Sequence, residues 1–483
     1  MFEKVCKNNV YKNLINGEWL ECSSGKTIEV HSPIDNSVVG KVQALNQTEV
    51  DAIIKIAKQS QKSWSEMSIA DRAKILHKAA NLLEENTESI AKMLQYEIAK
   101  DKGSSVAEVK RTADFIRYTA DEGKHFEGET ISSDNFPGFK KNKVSIVTRV
   151  PLGVVLAISP FNYPVNLSAS KIAPALIAGN SVVLKPPTQG AISALLLAEI
   201  FNAAGIPKGI LNTVTGKGSE IGDYLVTHED INFINFTGST KVGKHIAVIA
   251  GMVPMLMELG GKDAAIVLKD ADLKDTARDI VSGAYSFSGQ RCTALKRILV
   301  EDSIAEELIG YLKEAISKLK VGMPADGADI TPLINNKAAD YVMELINDAI
   351  DKGAKLIVGN KRKNNLLYPT LFDKVTTDMR LAWEEPFGPV LPIIRIKTIE
   401  EAIKIANKSQ YGLQSSVFTK DINNAFYIAS KLEVGTVHIN NKTERGPDHF
   451  PFLGVKASGM GTQGIRYSIE AMSRPKAIVF NIS

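Results

Sequence analysis

Cysteine is scarce: the 483-residue chain has three, Cys6, Cys22 and Cys292, widely spaced and odd in number. That excludes a disulfide framework and, without close Cys/His pairs, a structural zinc site; it fits a reducing compartment. An excess of one charge is lacking as well. Lys and Arg number 58 against 54 Asp and Glu, a formal net charge of +4, so no basic field marks a nucleic-acid or membrane-surface binder. The densest cationic cluster, Lys361-Arg362-Lys363, sits among asparagines and reads as a solvated loop. Long hydrophobic runs are missing too. Residues 151–170 carry no charge, yet Pro151, Pro160 and Pro164 interrupt them, with Asn162 and Asn166, which excludes a membrane span. Residues 1–16 show no apolar core of a signal peptide. The expectation is a water-soluble, cytoplasmic protein.

What is present is ordinary globular material, 44% hydrophobic and 23% charged, in a length that implies roughly two to four packed units. Past residue 45 the pattern is helical. Thr48 and Asp51 resemble a capping box, and Val50, Ile53, Ile54 and Ala57 form a 3.6-residue stripe. Residues 69–99 continue as helix, followed by another over 105–123. Alternation of Val144, Ile146, Thr148 and Val150 predicts a strand or hairpin arm at about 130–150. From there short apolar strands (154–158, 181–184, 210–214, 231–236) alternate with helices at 167–178, at 193–204 and from 219 onward. The alternation resumes between 264 and 445, with strands at 266–268, 297–300, 390–396 and 436–439. This spacing predicts an α/β protein with two doubly wound parallel-sheet domains. A last strand, 476–482, is placed to pair with the arm.

Two glycine-rich turns follow predicted strands. Gly216 to Gly222 is one residue too long for the dinucleotide fingerprint. Gly238 to His245 matches a P-loop until its last position, where His245 replaces the hydroxyl that holds magnesium. Phe236-Thr237-Gly238-Ser239 still ends a strand and opens a helix, where free N–H groups and the helix dipole attract an anion. Glycines after strands also serve simply as turns.

Three segments carry candidate chemistry. Cys292 lies among Gly289, Gln290, Arg291 and Thr293, surroundings unlike the apolar core that usually holds a lone cysteine. A nearby cation such as Arg291 is expected to favour its thiolate. Glu258 stands between Met257 and the turn Gly260-Gly261; burial there would raise its pKa into the range of a general base. Asn162 sits in the loop Pro160-Phe161-Asn162-Tyr163-Pro164 after a buried strand, where its amide can face an oxyanion. Each has a bland alternative: a buried small residue, a structural carboxylate, a turn asparagine.

Together these segments resemble the aldehyde dehydrogenase superfamily over essentially the whole chain. The matching pieces are Pro160 to Pro164, Leu184-Lys185-Pro186, Phe236 to Thr240, Glu258 to Lys262, Gly289 to Cys292 and Glu385 to Pro389, in the family's order. Ser288 to Lys296, Trp383 to Pro389 and His438 to Arg445 are most similar to its NADP-dependent non-phosphorylating glyceraldehyde-3-phosphate dehydrogenases. The resemblance implies a cofactor domain over 1–258 with a projecting arm, a catalytic domain over 259–447, and a C-terminal return segment and oligomerisation strand over 448–483. It also implies a homotetramer and no metal. Cys292 would attack the aldehyde, Asn162 and the Cys292 N–H would hold the oxyanion, and Glu258 would activate water against the thioester.

The same resemblance implies the binding residues. Many relatives read Lys-Pro-x-Glu where this chain reads Lys185-Pro186-Pro187-Thr188. Without that carboxylate, Lys185 and Thr188 can meet a 2′-phosphate, so NADP is expected over NAD. Asp223 would lie on the adenosine side, Gly238 and Ser239 at the pyrophosphate, Glu385 and Phe387 at the nicotinamide ribose, and Ser159 beside the cofactor. Arg111, Arg291 and Arg445, with Tyr163 as hydroxyl donor and Asn162, Cys292 and Thr293 at the aldehyde, would bind glyceraldehyde 3-phosphate. The alternative is another small anionic aldehyde, such as succinate semialdehyde or lactaldehyde.

Overall fold

The computed structural model describes residues 1–482. Helices Gln47–Glu66, Ile69–Glu85, Thr87–Ile98 and Lys102–Lys124 cover the N-terminal part after six short strands. The first begins two residues before the expected box. Asn46 accepts the Glu49 N–H at 3.0 Å, and the Glu49 carboxylate reaches back to the Asn46 N–H at 2.9 Å. Asp51 instead pairs with Lys55 and His228. The expected helix over 69–99 is two helices, divided at Asn86, whose amide donates to Leu82 O at 2.7 Å. An asparagine amide that bonds to nearby backbone offers the chain an alternative to the helical ladder.

The first large sheet has six strands in the order Leu211–Thr213, Ser181–Lys185, Val154–Ile158, Phe233–Thr237, Met255–Glu258, Gly459–Met460. The first five are parallel and the last antiparallel. Four were legible as apolar runs. Met255–Glu258 was read only as the approach to a Gly-Gly turn; its strand form comes from pairing with Phe233–Thr237, which sets Glu258 opposite Thr237. The helices Asn166–Ile177 and Ala191–Ala204 pack on this sheet.

The second sheet has seven strands: Lys355–Val358, Thr370–Asp373, Val390–Ile396, Leu295–Glu301, Asp263–Val267, Gln414–Phe418, Thr436–Ile439. Gln414–Phe418 was missed because Gln414, Ser415 and Ser416 look like loop, although the strand is buried along its length. Its polar start gives no apolar signal.

The arm is a three-stranded antiparallel sheet with Lys143–Pro151 between Glu129–Ser132 and Ser473–Asn481. The C-terminal strand pairs within the chain, from Ser473 opposite Pro151 to Asn481 opposite Lys143. Among the described residues no helix is long and apolar enough to cross a membrane.

Candidate active site

The parallel strands of the first sheet end at Ile158, Lys185, Thr237 and Glu258, and the first three of these residues line a cavity together with Cys292, Glu385 and Phe387. Such an edge is where open α/β sheets bind ligands. The cavity measures about 590 Å³. It is lined by Ser159, Lys185, Thr188, Asp223, Gly238, Ser239, Glu385 and Phe387, and by Asn162 and Cys292. All eight residues expected at the cofactor therefore share one cavity with two of the three reactive candidates.

The lining suits a phosphorylated dinucleotide. Lys185 is 7% exposed, and burial pulls its ammonium down to about 8. Its hydrogen bond is a long one to Pro186 O at 3.4 Å, so a buried cation stands there without a carboxylate, fit for a phosphate. Ser239 caps the helix Thr240–Ile249 by accepting the Val242 N–H; the first-turn N–H groups favour an anion. At Gly218 and Gly222, also in the wall, nothing stands within 4 Å of where a Cβ would be. Asp223 bonds His245, the residue at the last position of the near P-loop, at 2.9 Å.

Glu385 closes the other end. Its carboxylate accepts the Gly261 N–H at 3.1 Å and meets the Lys296 ammonium at 3.1 Å. A Cβ at Gly260 would come within 2.2 Å of Glu385 Oε2, so any side chain there would displace this carboxylate. Phe387 has φ 48 and stands edge-on to Phe161.

Cys292 is carried by a strained turn. Phe287, Ser288 and Gly289 have φ of 51, 53 and 73 after the helix Leu273–Tyr285, a region that costs non-glycine residues stability and clusters at functional sites. Ser288 is pinned twice, donating to Thr331 O at 2.7 Å and accepting the Thr331 N–H at 2.9 Å. The Asn162 amide donates to Gln290 O at 3.0 Å, which ties the oxyanion candidate to the nucleophile loop. Thr293 is buried, its carbonyl accepting the Thr443 hydroxyl.

Burial pushes the Cys292 thiol up to about 11; Lys296 acts against that, while Glu258, Glu385 and Asp263 add to it. The expectation that Arg291 activates the thiol is corrected. The Arg291 guanidinium donates to Gly283 O, and the cation acting on the thiol is Lys296.

Glu258 is 3% exposed and its Oε1 has no hydrogen-bond partner. Burial raises its carboxyl to about 7, against Arg445 and Lys171. Lys171 was not foreseen as a site residue. It donates to Thr237 Oγ1 at 2.7 Å, beside Glu258 in the sheet register, and burial lowers it to about 7. The available signal is its place as the first charge after twenty-one uncharged residues.

The structure brings together two of the three arginines. Arg111 grips Asp448 with bonds of 2.7 and 2.9 Å and donates to Arg445 O at 2.6 Å. Arg445 lies 3.5 Å from Asp448 and 3.6 Å from Glu258. Arg291 is turned to Gly283 instead. Tyr163 lies under the buried Lys100 ammonium, 3.3 Å from the ring centre.

A family model of the aldehyde dehydrogenase family matches residues 19–478. An NADP-dependent glyceraldehyde-3-phosphate dehydrogenase of Streptococcus equinus is 59% identical over 98% of this chain and 99% of its own. The enzyme of that name from Pisum sativum is 50% identical over 99% of this chain and 97% of its own. A crystal structure of NADP-dependent glyceraldehyde-3-phosphate dehydrogenase from Bacillus halodurans C-125 complexed with NADP superposes with a TM-score of 0.97 at 55% identity, over 98% of this chain and 99% of that one. The chain belongs to the aldehyde dehydrogenase family.

Proposed function

We propose that the protein oxidises D-glyceraldehyde 3-phosphate to 3-phosphoglycerate with NADP and water, without inorganic phosphate. The observation that carries this reading is the arginine pair: Arg445 touches both the base Glu258 and Asp448, which Arg111 also grips. Two guanidiniums thus lie beside the chemistry, paired with Asp448 and Glu258, and the substrate phosphate would replace Asp448 as their anion.

The Cys292 sulfur adds to the aldehyde carbon, and the Asn162 amide and the Cys292 N–H stabilise the oxyanion of the thiohemiacetal. NADP, when bound, accepts the hydride. Lys185 and Thr188 would hold its 2′-phosphate and Glu385 its nicotinamide ribose. The resulting thioester remains on Cys292. Glu258, as carboxylate, takes a proton from water as the water oxygen attacks the acyl carbon, and the sulfur leaves. One aldehyde, one water and one NADP⁺ give the carboxylate, NADPH and two protons. Arg111 and Arg445, with Tyr163, bind the substrate phosphate by charge-assisted bonds, and Arg291 and Thr293 border the same loop.

In this reading residues 1–258 bind cofactor, 259–447 carry the nucleophile, and the arm and the return segment 448–483 join subunits of a cytoplasmic homotetramer. NADPH formation from glyceraldehyde 3-phosphate in phosphate-free buffer tests the activity. Rapid formation, much slower with NAD, is expected, and Arg111→Leu should lower kcat/KM on the order of ten- to a hundredfold. Oxidation of uncharged aldehydes in preference to the phosphorylated one would overturn the substrate.

A further inference from the structure

Lys296 lies on the strand Leu295–Glu301 and is 2% exposed. A buried ammonium needs partners, and those of Lys296 lie in different functional segments. It donates to the carbonyl of Cys292 and pairs with Glu385 at 3.1 Å. Glu385 rests on Gly260 and takes the Gly261 N–H, two and three residues past Glu258. One side chain therefore joins the nucleophile loop, the ribose carboxylate and the turn that follows the base.

The neighbouring charges single it out. Glu258, Glu385 and Asp263 disfavour the thiolate, and Lys296, whose ammonium sits on the Cys292 carbonyl, is the cation that favours it. The adjacent Arg297 spends its guanidinium on the carbonyls of Lys262 and Ala406, and Arg291 spends its own on Gly283.

We propose that Lys296 is a positioning residue that couples Glu385 to the Cys292 peptide and supplies the local positive charge for its thiolate. The inference rests on the reading of Cys292 as nucleophile and Glu385 as ribose ligand. It assigns Lys296 a role that a residue merely filling the core would not have, because its charge and not its volume is what matters.

The test is the rate of Cys292 alkylation by iodoacetamide across neutral to alkaline pH, on the full-length protein with and without NADP. Peptide mass mapping separates Cys292 from Cys6 and Cys22. Lys296→Met should lower the rate about tenfold at each pH below the thiol's pKa, the effect of losing a nearby opposite charge worth about one pKa unit. Lys296→Arg should keep most of it. A Met variant that overlays the wild type overturns the proposal. Should the Met variant fail to fold, Lys296→Gln serves: it keeps a donor for the Cys292 carbonyl but no charge, so alkylation should slow as for the Met variant, and a rate equal to that of the wild type overturns the proposal. Alkylation needs no aldehyde. Failure to oxidise glyceraldehyde 3-phosphate would therefore remove the substrate assignment alone, and absent rate shifts in an active enzyme would remove this inference alone.

Discussion

Glu258 shows how a single side chain acquires a function from its surroundings. Burial holds its carboxyl near 7, so it is mostly protonated below that pH and a base above it. The sign follows: thioester hydrolysis should rise between about pH 6 and about pH 8 and then level off. Glu258→Gln should remove that rise and give a burst of NADPH followed by turnover slower by roughly a hundredfold or more; rapid-mixing absorbance separates the two phases. The same shift acts on stability. A carboxyl with a raised folded pKa contributes stability that is fully present below its unfolded value, near about 4.3, and lost as pH rises through about 7. The Gln variant should therefore gain melting temperature relative to the wild type at alkaline pH and not in acid. Cys292→Ser should abolish NADPH formation while the protein still binds added NADPH, as read by nucleotide fluorescence; retained turnover would remove the nucleophile assignment.

At the scale of elements, the loop that carries Asn162 is held by a helix remote from it in sequence. Glu108, on the helix Lys102–Lys124, accepts the N–H groups of Val165 and Asn166 at 3.0 Å each. It so satisfies donors at the start of the helix Asn166–Ile177. Its other oxygen takes the Lys100 ammonium at 2.5 Å, and Lys100 continues to Asn162 O at 3.0 Å. Both side chains are fully buried. Removing one charge of such a pair leaves the other unpaired in the interior, at about 3–5 kcal/mol. Glu108→Gln should lower the melting temperature and, through Asn162, the rate of the acylation step. A calorimetric scan and single-turnover kinetics check the two effects.

For the whole molecule, the arm carries its apolar residues outward. Val479 is 61% exposed, and Phe480, Ile478 and Ile146 lie open along the same pair of strands. Open apolar strands of this kind invite association, which agrees with the proposed tetramer. Val479→Lys should shift the light-scattering mass from four chains toward a smaller assembly, with NADP binding retained by each chain. An unchanged mass would place the interface elsewhere.

The sequence by itself determined the two runs of strand and helix, the arm, the lone cysteine in polar surroundings, the glutamate before a Gly-Gly turn and the missing carboxylate after Lys185-Pro186. These are local properties: periodicity, neighbours, composition. Tertiary structure decided which groups meet. It put Lys171 beside Glu258, Asp448 between Arg111 and Arg445, and Lys296 instead of Arg291 at the thiol. It also made strands of Met255–Glu258 and Gln414–Phe418, whose form comes from their partners in the sheet. Spacing along a chain carries no information on distance between segments a hundred residues apart, and a buried charge announces its partner only once both are folded against each other.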